Sequence, residues 1–83
     1  MTLQTCVYIL QSESNLKRFY TGVTSNLYAR LAAHNRGEST HTATGRRWRV
    51  VVEMYFADAS RARAFEEYLK SGSGRAFAAR HFR

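Results

Sequence analysis

The stretch TCVYILQSESNLKRFYTG, Thr5–Gly22, decides the fold of this chain. Two short runs rich in β-forming residues, CVYIL and RFYTGV, alternate apolar and polar side chains on either side of a polar segment without proline. This pattern is typical of two paired strands and their loop. Each run carries one tyrosine, Tyr8 in the first and Tyr20 in the second. We therefore expect the two phenols to lie side by side on neighbouring strands, over about residues 5–10 and 18–23.

A first helix follows the hairpin, in the segment TSNLYARLAAHNRG. Leu27 and Leu31 recur at i, i+4 and define its buried stripe. Thr24 or Ser25 is the expected N-cap, and Gly37 suits the left-handed residue just past the helix end. The helix is therefore predicted to pack one apolar stripe against the sheet.

One flank of this helix carries Arg30 and His34, one turn apart. At about 100° per residue the two side chains point the same way, so the helix presents a cation and an imidazole to whatever this flank faces. Taken singly, such an arginine is usually a solvated charge, and such a histidine is usually a satisfied residue at the edge of the core.

The second half of the chain predicts a third strand and two more helices, after an irregular polar and basic loop over residues 38–47. The strand, about residues 49–56, is expected to place four apolar side chains on one face: Val50, Val52, Met54 and Phe56. The second helix has Asp58 as its predicted cap, ends near Gly72, and turns three side chains inward: Ala62, Phe65 and Leu69. Ser73 is the predicted cap of a last helix, from Gly74 to about His81.

The predicted order is therefore β-β-α-β-α-α, without an internal repeat or a linker. It implies one α+β domain over residues 1–83, with a small three-stranded, mostly antiparallel sheet flanked by helices. A chain of this length buries only about 60–65% of the surface that its unfolded state exposes, so the core is modest.

The charge balance favours a polyanionic partner. Thirteen Lys and Arg residues against six acidic ones give a net charge of +7, and eleven of the cations are arginines. Arginine makes forked contacts to phosphate, whereas lysine would serve solubility equally well. Nucleic acid is the expected partner.

The composition argues against several classes of protein. No apolar run approaches the ~18 residues of a membrane span, so no membrane association is expected. No basic segment followed by a hydrophobic one marks a secretory signal at the N-terminus. The single cysteine, Cys6, has neither a disulfide partner nor the companions of a zinc site. A reducing, cytoplasmic setting is the simplest expectation.

The two neighbouring glutamates of the second helix differ in position. On a helical wheel centred on the apolar stripe, Glu67 points to solvent, whereas Glu66 lies at the edge of the stripe, where a carboxylate can line a cleft. Spacing favours an i, i+4 ion pair between Glu66 and Lys70. The alternative is a metal ligand, because one carboxylate with waters and substrate phosphates is a normal Mg²⁺ arrangement.

Taken together, these residues resemble the GIY-YIG nuclease family over nearly the whole chain. Cys6-Val7-Tyr8 stands at the first tripeptide and Tyr20-Thr21-Gly22 at the second, with eleven residues between them. The arginine of the family then falls on Arg30, its frequent histidine on His34, and its metal-binding glutamate on Glu66. The chain looks like the short, stand-alone bacterial members.

The resemblance implies a metal-dependent endonuclease that uses a single Mg²⁺ or Mn²⁺ ion held by Glu66. Arg30 would meet the negative charge that grows on the transferring phosphate. Tyr8 would orient the attacking water or take its proton, with His34 as the competing base, and Tyr20 would hold water or phosphate. A phenol needs nearby cations to lower its pKa for this task, and Arg30 could act so. Gly22 would allow a close approach of backbone.

Two residues depart from the family pattern: Cys6 replaces a glycine and Thr21 replaces an isoleucine. Both positions are expected to be structural, so neither departure is expected to affect catalysis. A late polar residue of some members has no counterpart near Phe77 and Ala78, and Arg75 is the candidate for a phosphate contact there. The other cations expected to track DNA phosphates are Arg36, Arg46, Arg47, Arg49 and Lys70.

The predicted substrate is DNA, extending to structured or damaged DNA and hence to repair, with a partner protein for targeting as a further expectation. The alternative is a non-catalytic or partner-dependent DNA- or RNA-binding module on the same scaffold. A third hypothesis is a subunit of a larger repair or mobile-element assembly. The sequence leaves open whether Tyr8 or His34 removes the proton.

Overall fold

The computed structural model describes residues 4–83 and contains a three-stranded sheet and three helices. The elements are β1 (Thr5–Ser12), β2 (Phe19–Thr24), α1 (Leu27–Arg36), β3 (Trp48–Phe56), α2 (Ala59–Lys70) and α3 (Gly72–His81). The strand order is β2-β1-β3, and both pairings are antiparallel. The predicted α+β class and element order are confirmed, and the sheet is antiparallel throughout. No helix within residues 4–83 is long and apolar enough to cross a membrane.

The core lies on both faces of the central strand, β1. Every residue of Cys6–Leu10 is buried, because each face of β1 is covered by a helix. On the face that carries Tyr8, which we call the tyrosine face, β1 packs with Leu27 of α1 and with Trp48. On the opposite face it packs against α2 and α3, through Ala62, Leu69 and Ala78. The sheet is therefore a middle layer between α1 and the α2–α3 pair.

The first hairpin differs from the sequence prediction at its ends. β1 continues to Ser12, two residues into the segment expected to be an exposed loop. Ser12 is fully buried: its hydroxyl donates to Gly45 O over 2.5 Å and accepts the backbone N–H groups of Ser14 and Asn15. β1 extends to Ser12 because the hydroxyl of this residue forms hydrogen bonds with the backbone polar groups at the end of the hairpin.

A β-bulge in the β1–β3 pairing breaks the alternation predicted for the third strand, in which Val50, Val52, Met54 and Phe56 share a face. Ile9 pairs with Val52 but Leu10 pairs with Val50, so two steps of β3 match one step of β1 and Val51 is the extra residue. Val50 consequently packs on the tyrosine face and Val52 on the other. Three successive valines carry no alternation from which the bulge could be predicted.

The N-cap of α1 is Asn26 rather than Thr24 or Ser25. The Asn26 side chain accepts the N–H of Ala29 over 3.1 Å, as an N-cap does. Thr24 is the last residue of β2, and its hydroxyl instead accepts the N–H of Asn26. At the other end Gly37 has φ 80°, the left-handed conformation predicted for it.

The junction between α2 and α3 is one residue long. Asp58 caps α2 as predicted, by accepting the N–H groups of Ser60 and Arg61. Ser71, and not Ser73, caps α3 by accepting the N–H of Gly74 over 3.1 Å. The predicted end of α2 near Gly72 is confirmed, since α2 ends at Lys70, whereas α3 begins at Gly72 rather than at Gly74.

Candidate active site

The two tyrosines lie next to each other on the tyrosine face. Tyr8 of β1 is opposite Gly22 of β2, and Tyr20 lies two residues before Gly22 on the same face. The ring centroids are 6.3 Å apart. Tyr8 is 1% exposed, whereas Tyr20 on the edge strand is half-buried. The hairpin register therefore brings the two phenols together, with one deep in the site and one near solvent.

Gly22 provides the space that the Tyr8 side chain occupies. A Cβ at this position would lie 2.4 Å from the Tyr8 hydroxyl oxygen and 2.5 Å from its Cζ. Tyr8 cannot move away easily because it is buried on all sides. The close approach expected at Gly22 is thus made by the phenol of the chain itself.

His34 contacts Tyr8 directly. Its Nε2 lies 3.0 Å from the Tyr8 hydroxyl, its Nδ1 lies 2.6 Å from the Thr42 hydroxyl, and its ring centroid is 4.8 Å from that of Tyr20. The side chain is fully buried, deeper than the flank position that the sequence predicts. Burial lowers the pKa of His34, and the charge of Arg30 lowers it further. The imidazole is therefore neutral at pH 7.

Arg30 lies one turn before His34 on α1 and faces the Tyr8 hydroxyl. Hydrogen bonding to Tyr8 raises the pKa of Arg30, so the guanidinium keeps its charge. For Tyr8, burial raises the pKa of the phenol, and the hydrogen bond with Arg30 opposes this. The cation acts in the direction expected from the sequence, but burial outweighs it. A buried neutral phenol thus lies between a base and a cation.

Glu66 approaches this group from α2. Its side chain is 11% exposed, and its Oε2 is 2.5 Å from the Lys70 Nζ, the i, i+4 ion pair that spacing favours. Glu67, the next residue, is exposed, as predicted. The Glu66 charge contributes to raising the pKa of Tyr8, so the carboxylate lies within electrostatic range of the phenol. The Lys70 Nζ also lies 5.8 Å from the centroid of the Tyr20 ring.

A cleft of about 450 Å³ opens beside the exposed edge of β2. Tyr20 and Thr21 form one side, Arg18 comes from the hairpin, His41 from the loop between α1 and β3, and Lys70 from α2. Positive side chains from separate elements thus converge where Tyr20 is reached from solvent. Tyr20 and Lys70 line this cleft, whereas Tyr8, Arg30, His34 and Glu66 do not.

Comparison with protein families identifies the architecture. The family model described as the GIY-YIG catalytic domain matches residues 4–78. The chain belongs to the GIY-YIG family. A search of curated proteins finds no match. Membership of this family supports a nuclease-type function in general.

The two departures from the GIY-YIG tripeptides lie in different places, since Thr21 lines the cleft and Cys6 lies in the core. Cys6, at the first position of its tripeptide, is 1% exposed and belongs to the same apolar cluster as Tyr8. At the late polar position, Ala78 is buried and Phe77 packs into the opposite face of the sheet. Arg75 donates from its Nε to the Lys70 carbonyl over 3.1 Å, so its nearest partner is backbone.

Within residues 4–83, no group of three or more His, Cys, Asp or Glu side chains is arranged to hold a metal ion. Glu66 is the carboxylate that the GIY-YIG resemblance assigns to an ion, and it is a single carboxylate within electrostatic range of Tyr8. One carboxylate completed by waters and substrate phosphates suits Mg²⁺ or Mn²⁺, hard cations that prefer oxygen. The donor set therefore fits an ion that binds together with the substrate.

The outer cations of the GIY-YIG domain lie apart from the tyrosine face and mostly have partners. Arg36 Nε is 2.6 Å from Glu38 Oε2, and Arg49 Nη2 donates to Gln11 Oε1 over 2.6 Å. The Arg46 guanidinium lies against Gly37, since a Cβ there would lie 2.5 Å from its Nη1. These side chains and Arg47 are all exposed, so they form a solvated basic surface around the loop between α1 and β3.

Sequence reasoning missed the residues of this loop that touch the site. Thr42 is fully buried against His34, and its carbonyl accepts the indole N–H of Trp48 over 2.9 Å. Arg18 donates to the carbonyls of His41 and Thr44 over 2.7 and 2.8 Å. In the sequence, Thr42 is one of four threonine and serine residues in a short polar run, and nothing local distinguishes it.

Proposed function

We propose that this chain is a divalent-metal-dependent endonuclease that hydrolyses phosphodiester bonds in DNA. The observation that carries the proposal is the environment of the Tyr8 hydroxyl. It lies 3.0 Å from the neutral imidazole of His34, beside the Arg30 guanidinium, and within electrostatic range of Glu66. Phosphodiester hydrolysis needs a base for water, a cation for the transferring phosphate and a stabilised leaving oxygen, and these side chains can supply each part.

His34 and Tyr8 act as one proton-transfer pair in this proposal. His34 is completely buried, so its Nε2 reaches the substrate only through the Tyr8 hydroxyl. The proton transfers are concerted: the water oxygen bonds to phosphorus as the water proton passes to the Tyr8 oxygen and the Tyr8 proton passes to Nε2. No free phenolate forms, because burial raises the pKa of Tyr8 and lowers that of His34. The bond from phosphorus to the leaving oxygen breaks, and that oxygen takes a proton from solvent. The proton on His34 returns to solvent through Tyr8, which restores both groups.

Arg30 and Tyr20 complete the proposed site. Arg30 would meet the negative charge that grows on the transferring phosphate, and its guanidinium beside Tyr8 would also stabilise negative charge on the Tyr8 oxygen. Tyr20 lines the cleft, so its hydroxyl can hold a water or a phosphate oxygen. Glu66 would hold the divalent ion, which when bound supplies Lewis-acid stabilisation of a phosphate oxygen and of the leaving group. Lys70 would then exchange its Glu66 partner for a phosphate.

The proposal extends to structured or damaged DNA as substrate, to a role in repair in the cytoplasm, and to a partner protein that supplies targeting. The support is chemical: the net charge is +7, and the exposed arginines surround the loop next to the site. Arg36, Arg46, Arg47 and Arg49 would follow the DNA backbone on either side of the cut.

The experiment compares two neighbouring glutamates. Purified protein is incubated with linear, nicked and branched DNA in Mg²⁺ or Mn²⁺, and cleavage is quantified on denaturing gels. Glu66→Gln is expected to lower the rate by at least a hundredfold, because it removes the proposed metal-binding charge. Glu67→Gln changes an exposed carboxylate one position away and is expected to stay within twofold of wild type. Equal rates for Glu66→Gln and wild type would contradict the assignment.

A second candidate function is DNA or RNA binding without cleavage. It is favoured by the Glu66–Lys70 ion pair, which occupies the proposed metal-binding carboxylate, and by the 1% exposure of Tyr8. This function predicts nucleic-acid binding that weakens steeply with salt, with no cleavage of any substrate in either metal. The same panel of DNA structures therefore separates the two functions.

A further inference from the structure

Thr42 lies behind the His34–Tyr8 pair and is not part of the sequence motif. Its hydroxyl is 2.6 Å from His34 Nδ1, on the side of the ring opposite Tyr8, and the whole residue is 0% exposed. The three groups form one buried line: the Tyr8 hydroxyl, the two nitrogens of His34 and the Thr42 hydroxyl. A base oriented by a third group is the general arrangement of catalytic triads.

The protons in this line can be assigned from the partners of Tyr8. The Tyr8 hydroxyl hydrogen needs an acceptor, because a buried unpaired donor is unfavourable. Arg30 offers donors and no acceptor, and the His34 Nε2 lies within hydrogen-bond distance of the hydroxyl. The Thr42 hydroxyl hydrogen has the same need, and His34 can serve as acceptor for only one of the two hydroxyls. We assign Nε2 as the acceptor of the Tyr8 hydrogen, because a phenol is more acidic than an alcohol and is the stronger hydrogen-bond donor. In a neutral imidazole the proton then resides on Nδ1, which donates to Thr42 Oγ1.

We propose that Thr42 is a positioning residue: its hydroxyl accepts the Nδ1–H of His34 and so keeps the Nε2 lone pair directed at the Tyr8 hydroxyl. This inference rests on the proposed nuclease function for its catalytic meaning. When Nε2 takes the Tyr8 proton, both ring nitrogens carry hydrogen, and the Thr42 and Tyr8 oxygens accept one each. Thr42 thus stabilises the imidazolium without adding a charge to the site.

The loop that carries Thr42 is held at several points, which gives the hydroxyl a defined position. The Thr42 carbonyl accepts from the Trp48 indole, and the carbonyl of the preceding residue, His41, accepts from Arg18. Ser12 donates to Gly45, three residues further on. A hydroxyl oxygen fixed in this way can hold the ring in one orientation, because it has little freedom to follow the imidazole.

Other ionisable groups surround His34 as well, and their charges also influence its protonation. Tyr8 of β1 and Tyr20 of β2 lie against the ring, Arg30 lies on the same helix, and the charge of Glu66 on α2 reaches Tyr8. None of these groups contacts Nδ1, whose hydrogen-bond partner is Thr42. A change confined to Thr42 therefore reports on this nitrogen.

The direct test is the tautomer of His34 in the wild-type protein, read from the ¹⁵N chemical shifts of its imidazole at pH 7.5. The proposal requires a protonated Nδ1 and an unprotonated Nε2. A proton on Nε2 would overturn it, because Thr42 would then be donating. This measurement needs neither a variant nor DNA cleavage, so it is independent of the proposed function.

The variants test the catalytic consequence. Thr42→Val keeps the shape but removes the hydroxyl, and it is expected to lower kcat on the order of tenfold to a hundredfold. The acid limb of its pH–rate profile should also move to lower pH, since the imidazolium loses an acceptor. Thr42→Ser should restore the wild-type profile, and Thr40→Val, an exposed threonine of the same loop, should leave it unchanged. A folded Thr42→Val protein with the wild-type tautomer and rate would refute the proposal.

If wild-type protein shows the Nδ1–H tautomer but cleaves no DNA, the nuclease proposal fails while the hydrogen-bond assignment holds. If the wild-type protein cleaves DNA but its resting His34 carries the proton on Nε2, the hydrogen-bond assignment fails while the nuclease proposal holds.

Discussion

At the residue scale, each polar group of the candidate site is defined by its closest neighbour. Tyr8 is a core residue by burial, but its hydroxyl is in contact with His34 and faces Arg30. His34 is buried and yet has a partner at each ring nitrogen. Such groups tolerate little displacement, because an unpaired buried donor or acceptor is costly.

The first prediction concerns the contact between Gly22 and Tyr8. Gly22→Ala is expected to lower the free energy of unfolding by about 1–3 kcal/mol, because its Cβ overlaps a side chain packed on all sides. Urea denaturation measures the change. Gly72→Ala is the control, since a Cβ there has no neighbour within 4 Å, and it should leave stability unchanged or raise it by about 0.4–1 kcal/mol. Equal effects of the two variants would contradict the packing described.

The second prediction concerns pH. The folded pKa of His34 lies below its unfolded value, so the unfolded state binds a proton first as the pH falls. The free energy of unfolding should therefore be highest above pH ~6.5, decrease as the pH falls below that value, and level off once the folded histidine is protonated. Urea denaturation from pH 8 to 5 measures this, and His34→Gln should flatten the curve over the same range. A wild-type curve with the opposite slope would refute the assignment.

At the element scale, α1 carries two of the proposed site residues, Arg30 and His34, one turn apart. The helix is only ten residues long, so its position depends on its ends as well as on packing against the sheet. Asn26 closes the first turn and Gly37 ends the last one in the left-handed conformation. The caps of α1 therefore influence the geometry of the site.

The third prediction separates the observed cap from the one expected by sequence. Asn26→Ala is expected to cost about 1 kcal/mol, because the N–H of Ala29 loses its acceptor. Ser25→Ala, at the neighbouring exposed position, should change stability by less than half as much. Thermal or urea unfolding of both variants measures the difference. A larger loss at Ser25 would show that the cap lies there.

At the scale of the whole molecule, the layered fold and the charge have separate roles. The sheet lies between α1 and the α2–α3 pair, and the charge of Glu66 on α2 still acts on Tyr8, whose side chain is on the opposite face. The positive charge is spread over several elements, and the exposed arginines of the basic surface lie around the α1–β3 loop. The fold thus orients a proposed cleavage site beside a surface suited to phosphates.

The fourth prediction is a steep salt dependence of DNA binding. If Arg36, Arg46, Arg47 and Arg49 each contact one phosphate, affinity should fall on the order of a hundredfold between 50 and 200 mM salt. Arg46→Gln combined with Arg47→Gln should reduce the slope of log K against log salt concentration by about two. Arg61→Gln combined with Arg63→Gln, on the exposed side of α2, is the charge-matched control. Equal slopes for the two double variants would show that binding follows net charge alone.

The element order, the two tyrosine-bearing strands and the flank positions of Arg30 and Glu66 followed from the sequence. Periodicity predicts which face of an element is buried, because that face is a local property of side-chain spacing. The ends of elements were less predictable. The strand end at Ser12 and the helix caps at Asn26 and Ser71 depend on which backbone groups lie near these side chains. Those neighbouring groups are brought close only when the chain folds.

The sequence by itself determined the fold class, the net charge and the residues that carry the family resemblance. Tertiary structure alone decided that the Tyr8 hydroxyl contacts His34, that Gly22 makes room for it, and that Thr42 lies behind the ring. It also decided the bulge at Val51, which the run of three valines does not predict because it has no alternation of apolar and polar residues. The physical reason is that hydrogen bonds and burial depend on distances between side chains from separate elements, and local spacing contains no such distances.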